Sequence, residues 1–129
     1  ESNRFLQRVL GSKTAIGLLL MNQDVISGIG NVYRAEILFR AGVSPHRAGE
    51  SLTREQVKAI WDDSVKLLKV GVKTGTMITI ERMFSKSPAK EDRNFVYKRE
   101  GQPCRKCGTP VSIELMAGRK LYWCASCQK

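Results

Sequence analysis

Acidic residues are scarce in this chain: 12 Asp and Glu stand against 22 Lys and Arg, leaving a formal charge of +10. Such an imbalance favours a polyanionic partner, because neutralising phosphates releases condensed counterions. Long apolar runs are also missing. None approaches the roughly 20 residues needed to cross a bilayer, so no membrane helix is expected, and no signal peptide is visible at the start. Histidine is reduced to His46, which follows Pro45 in a loop and is read as a surface residue without a role. Cysteine does not occur before Cys104. What remains, with 42% hydrophobic residues and two Trp in 129 residues, suffices for a folded protein, expected to be a small core plus a separately stapled module.

Apolar spacing predicts a mainly α chain with a β-hairpin at its end. Phe5, Leu6, Val9 and Leu10 share one helical face before Gly11. Ile16 to Met21 is too short to classify. The segment VISGIGNVYRAEILFRAG reads as a short helix, a glycine turn at Gly28 and Gly30, and a helix opening near Asn31 and ending at Gly42. Thr53 with Gln56 forms a capping-box signature, and Val57, Ile60, Trp61, Val65 and Leu68 follow as core. From Gly71 to Asn94 the pattern dissolves into what reads as a mobile linker or surface loop. Beyond it, two strand-like arms flank Ala117 and Gly118. The expected division is a helical domain over 1–84, a linker over 85–94 and a cysteine-bearing hairpin over 95–129.

All four cysteines, Cys104, Cys107, Cys124 and Cys127, fall in this last part as C-x2-C-x16-C-x2-C. Each C-x2-C turn presents two thiolates to one point, and a hairpin brings the pairs together, the arrangement a tetrahedral structural Zn2+ needs. Two disulfides or a redox pair are the competing reading. A four-thiolate site leaves no position for an activated water, so this zinc is expected to hold the hairpin rather than to catalyse.

The strings GIGN, YRAEILFRAG, VYKREGQPCRKCGTP and GRKLYWCASCQ together resemble the helix-two-turn-helix domain and C-terminal zinc finger of the formamidopyrimidine-DNA glycosylase and endonuclease VIII family, with the ending nearer the endonuclease VIII branch. The resemblance implies a DNA-binding half of a bifunctional base-excision-repair glycosylase and abasic-site lyase for oxidised bases. Its partner would be double-stranded DNA carrying a damaged base or abasic site, and its place the cytoplasm, on the bacterial nucleoid.

By the same resemblance Asn31 contacts a DNA phosphate at the helix start, with Gly30 before it. Read from the residue alone, Asn31 is an N-cap before it is a phosphate contact. Arg119 occupies the position of the finger arginine that reaches phosphates beside the lesion. Tyr97 matches a backbone-contacting tyrosine, with packing beside the finger as its other reading, and Lys13 matches a further basic position. Glu36 is expected to pair with an arginine or cap backbone amides rather than act as a base.

The family's nucleophile is an N-terminal proline followed by glutamate, in a catalytic domain preceding these motifs. Glu1-Ser2-Asn3 supplies neither, so this chain alone is expected to be inactive, whether it is a processed or excised piece of something longer or a short protein in its own right. Two other functions fit the sequence: a zinc-ribbon module docking a protein through Leu121, Tyr122 and Trp123, and an RNA-binding protein.

Overall fold

In a computed structural model, which describes residues 1–129, four helices are followed by a two-stranded antiparallel sheet. Helix α1 (Ser2–Leu10) turns Phe5, Leu6 and Val9 inward. The unclassified run Ile16 to Met21 forms a single helical turn, α2 (Ile16–Leu19), with Leu20 buried just beyond it. Gly28 has φ +86° and makes the turn that redirects the chain toward α3 (Asn31–Ala41). Gly30 does not share that role: its φ is −101°, ordinary extended backbone. Gly42, with φ +70°, stops α3 in the left-handed conformation that suits glycine.

The capping box predicted for the long helix α4 (Arg54–Thr74) is present with both bonds, Gln56 N–H to Thr53 Oγ1 at 3.0 Å and Thr53 N–H to Gln56 Oε1 at 2.9 Å. Its buried stripe is Val57, Ile60, Ser64 and Leu67. Val65, expected in the core, lies at the stripe's edge with 37% of its surface exposed. The helical period carries burial through Ser64, whose hydroxyl is satisfied by the Ile60 carbonyl at 2.7 Å. Phe5 meets Trp61 with ring centroids 5.2 Å apart, fixing α1 to α4.

Strands β1 (Ser112–Met116) and β2 (Arg119–Trp123) pair in register from Ser112 with Trp123 to Met116 with Arg119. Ala117 (φ +58°) and Gly118 (φ +71°) form the two-residue turn, a geometry matched to the twist of the strands.

Two buried clusters make up the interior. One joins α1, α2, α3 and α4 around residues such as Phe5, Ile16, Ile37 and Ile60. The other gathers Val96, Cys104, Val111, Leu121 and Cys124 onto Ala35 and Phe39 of α3. The hairpin is therefore not a separate module stapled only by its cysteines. It packs on the face of α3 opposite the helical core, and that helix is covered from both sides.

The stretch from Gly71 to Asn94, read as a mobile linker or surface loop, is tied into this arrangement. Ile78, Thr79 and Ile80 are buried, and the Thr79 amide donates to the Arg93 carbonyl at 3.0 Å. Short 3-10 turns at Glu81–Met83 and Lys90–Asp92 carry the chain between these points.

Candidate nucleic-acid interface and metal centre

Helix α3 begins without a side-chain cap. The amides of Asn31, Val32 and Tyr33 find no acceptor within the protein, leaving the positive end of the helix dipole open to an anion. A Cβ built on Gly30 would meet nothing within 4 Å. Neither backbone conformation nor internal packing therefore requires glycine at this position. Asn31 is the first helical residue rather than the N-cap, and its side chain is engaged: Nδ2 donates to the Lys120 carbonyl at 2.7 Å, while Oδ1 accepts from Arg34 Nη2 at 2.5 Å. One Nδ2 proton remains uncommitted.

Arg34 is the residue that sequence reasoning missed. It is fully buried, and its Nη1 donates to the Met116 carbonyl at 2.8 Å and to the Gly17 carbonyl at 3.4 Å, joining α2, α3 and the hairpin tip at one point. Its Nε has no partner, and no carboxylate lies within ion-pair distance. Burial and then the neighbouring Arg119 guanidinium lower the Arg34 pKa to about 10, against a smaller opposing pull from Glu114. Arg119, at the start of β2, pairs with Met116, whose carbonyl Arg34 holds, and precedes Lys120, whose carbonyl Asn31 holds, so it stands beside the Asn31–Arg34 pair. The signal was present in the sequence, since apolar residues recur all round α3 and leave no solvent face for a charge.

Glu36 is also fully buried. Its carboxylate accepts from the amides of Phe95 (2.6 Å), Val96 (2.8 Å) and Tyr97 (2.9 Å) and from the Thr79 hydroxyl (2.5 Å). It caps backbone amides, and in doing so holds the approach to the finger against α3. Tyr97, positioned by this clamp, sets its ring edge-on to Tyr122 at 5.4 Å and lines a cavity of about 320 Å³ together with Val32 of α3. Lys13 lies in the loop between α1 and α2 beside Gln7, Arg8 and Asn22. Asn31, Gly30, Arg119 and Tyr97 thus gather around the start of α3.

His46 is not idle. Its Nε2 lies 2.8 Å from Glu114 Oε1, which also accepts from Trp123 Nε1 at 2.9 Å, so the loop after α3 grips the hairpin. Gln128 repeats this stitching, accepting from the Cys124 amide and donating to the Val43 carbonyl at 3.0 Å.

The four cysteines are free thiols with no disulfide, and their Sγ atoms all lie within 4.8 Å of one another. Cys104 and Cys127 stand 3.8 Å apart and Cys107 and Cys124 3.5 Å apart, matching the edge of about 3.8 Å that four Zn–S bonds of about 2.3 Å give a tetrahedron. The Lys106 amide points at Cys104 Sγ and the Cys127 amide at Cys124 Sγ, each at 3.4 Å, stabilising thiolate charge. Gly108, with φ +80°, completes the first knuckle. The donor set fits one structural zinc, which when bound fixes the two knuckles together.

An uncapped helix beside a four-thiolate β-hairpin defines a helix-two-turn-helix and zinc-finger protein. Residues 1–82 match the family described as the formamidopyrimidine-DNA glycosylase H2TH domain, and residues 101–129 match the zinc finger found in FPG and IleRS. The chain belongs to the formamidopyrimidine-DNA glycosylase and endonuclease VIII family. It is 40% identical over 125 residues to Endonuclease 8 1 of Mycobacterium tuberculosis, covering 94% of this chain and 47% of the relative. To the formamidopyrimidine-DNA glycosylase of Geobacillus kaustophilus it is 34% identical over 125 residues, covering 95% of this chain and 46% of that one. The solved MutM (Fpg) of Thermus thermophilus superposes with a TM-score of 0.82 at 33% identity, over 99% of this chain and 50% of its own. A MutM in complex with DNA containing carbocyclic 8-oxo-G gives a TM-score of 0.84 at 26% identity, over 100% of this chain and 47% of its own. The chain spans about half the length of the curated relatives it matches.

Proposed function

We propose that this chain is the DNA-gripping half of a base-excision-repair glycosylase and abasic-site lyase for oxidised bases, acting at the nucleoid in the cytoplasm. The observation that carries the reading is the start of α3: open amides, a glycine whose missing side chain the fold does not require, and Arg119 on the adjacent hairpin. A phosphate seated there takes the helix amides as donors, and the bare Gly30 lets the sugar-phosphate backbone approach closely. Arg119, held by a zinc-fixed hairpin, adds a guanidinium suited to bidentate phosphate contact. Asn31 contributes its spare Nδ2 proton, Tyr97 a second backbone contact, and Lys13 a further charge. The carbocyclic 8-oxo-G containing DNA held by the related MutM supports lesion-bearing DNA as the partner. Base removal would fall to the half of the relatives' length that this chain does not span.

The docking-module alternative loses two of its three residues, because Leu121 is fully buried and Tyr122 is only 4% exposed, and the third, half-buried Trp123, donates its Nε1 to Glu114. No helix is long and apolar enough to cross a membrane.

Fluorescence anisotropy with a duplex carrying a stable abasic-site analogue, titrated across a salt series, tests the reading. Wild-type binding is expected to weaken steeply with salt, and Arg119→Ala to bind about tenfold more weakly with a slope shallower by about one. Gly30→Ala is the sharper variant: its melting temperature should match wild type, while affinity falls by about tenfold. Full affinity in both variants would refute the proposed contacts, and tighter binding to matched RNA would point to the RNA-binding alternative.

A further inference from the structure

Besides Ala117 at the hairpin tip, Lys98 holds a left-handed backbone without being glycine, with φ +56°. It is the third residue of a turn that the Arg99 amide closes onto the Val96 carbonyl at 3.0 Å. A positive φ at that position suits glycine or asparagine, because the Cβ of other residues crowds the backbone there. The turn is nevertheless fixed on both sides. Glu36 accepts from the Val96 and Tyr97 amides, and the Arg99 guanidinium donates to the Phe95 carbonyl at 2.8 Å and to the Pro103 carbonyl at 3.0 Å. Lys98 is therefore held in an unfavourable conformation by committed neighbours, while its own side chain is exposed and joins no ion pair. Strain kept at a residue whose side chain ties nothing together points to a function for that side chain.

Its surroundings indicate which function. The ammonium lies 5.7 Å from the centre of the Tyr97 ring, so lysine and tyrosine present one composite edge. Both line the cavity of about 320 Å³ that reaches Val32 in the first turn of α3. Four cations, Lys90, Arg93, Lys98 and Arg99, stand on this lining against the single carboxylate of Glu91. Arg93 and Arg99 are engaged by backbone carbonyls, whereas Lys98 stands beside Tyr97 with its charge free for an anion.

We propose that Lys98 is a further DNA-binding residue, whose strained turn places its ammonium beside Tyr97 to take a phosphate of the strand held at the start of α3. This builds on the reading that α3 receives DNA there. A lysine suits the task as a compact charge on a long stem that can follow the phosphate, and a turn already fixed before binding leaves no backbone to be ordered by it. Glycine at this position would relax the turn and remove the charge. Stability and DNA affinity should then move in opposite directions, which a lysine with a merely structural duty would not produce.

Lys98→Gly, Lys98→Met and Lys98→Arg are titrated by anisotropy against the abasic-analogue duplex across a salt series, beside wild type and Arg119→Ala. Lys98→Gly is expected to melt above wild type and yet to bind about fivefold more weakly, with a log–log salt slope shallower by about one. Lys98→Met keeps the strained turn, so it should lose affinity to the same extent without gaining melting temperature. Lys98→Arg keeps the charge and should bind within about twofold of wild type. Full affinity in Lys98→Gly or Lys98→Met overturns the proposal. So does a Lys98→Gly protein that melts below wild type, since the contact of the ammonium with Tyr97 would then be holding the turn. If Arg119→Ala weakens binding and the Lys98 variants do not, the assignment of Lys98 falls and the DNA-binding reading stands. If the wild type itself fails to bind duplex, both fall.

Discussion

Two charged residues one helical half-turn apart, Arg34 and Glu36, are fully buried and serve different ends. Glu36 is saturated by three backbone amides and a hydroxyl, whereas Arg34 keeps an unpartnered Nε and has no carboxylate contact. Glu36→Gln is expected to cost about 3 kcal/mol, because an amide side chain turns an NH2 group toward a backbone donor and leaves buried groups unpaired. Urea denaturation should register this as a lower midpoint with an unchanged slope, and a loss under about 1 kcal/mol would show that the clamp is not under this load. That Glu36 would be a structural partner rather than a base was readable from its place inside a helix, which leaves the choice between an arginine and backbone amides open. Its partners were not, since Thr79 and the Phe95–Tyr97 backbone are brought to it only by the fold. For Arg34 only the burial was signalled, by the apolar residues all round α3; its partners were not, because the Met116 and Gly17 carbonyls lie far away in sequence on either side. Gly30 shows the converse, a residue whose meaning emerges only once the structure shows that nothing inside the protein requires it.

Among the elements, α4 was legible nearly in full because its start is local chemistry, a threonine and a glutamine three residues apart. The hairpin was also legible, since its turn and paired cysteines are short-range patterns. The segment after Thr74 was not, because its burial depends on Glu36 and not on any periodicity of its own. The hairpin turn carries an evident imperfection. Ala117 sits at φ +58°, a region where a Cβ is unfavourable and Asn or Gly is preferred. Ala117→Asn, producing an Asn-Gly turn, should stabilise the finger by about 0.5–1 kcal/mol. The gain should appear as a higher midpoint for chelator-induced or thermal loss of the hairpin. An unchanged or lower midpoint would mean that neighbouring contacts at the tip, such as Met116 against Gly17, set the turn's stability instead.

At the scale of the molecule, α3 is shared by both buried clusters, so the zinc site and the helical core are mechanically connected without being one unit. The helical cluster is built entirely from residues before Ser85, and Thr53, Gly42 and Gly75 cap its helices locally. The finger cluster, by contrast, is small and includes two of the cysteines themselves, so metal binding supplies much of its folding free energy. Removing zinc with a strong chelator should therefore unfold the hairpin while most of the helical far-UV signal persists. Trp123, whose Nε1 is held by Glu114, reports this directly in a Trp61→Phe background: its emission should shift to the red as metal is released, with the release followed by a pyridylazo-resorcinol colour reaction. DNA affinity should drop at least as far as in Arg119→Ala, about tenfold, because Arg119 loses its rigid platform and the Lys120 carbonyl no longer orients Asn31. If the helical signal instead collapsed together with zinc release, the finger would be holding α3 in place, and the two halves would have to be treated as a single cooperative unit.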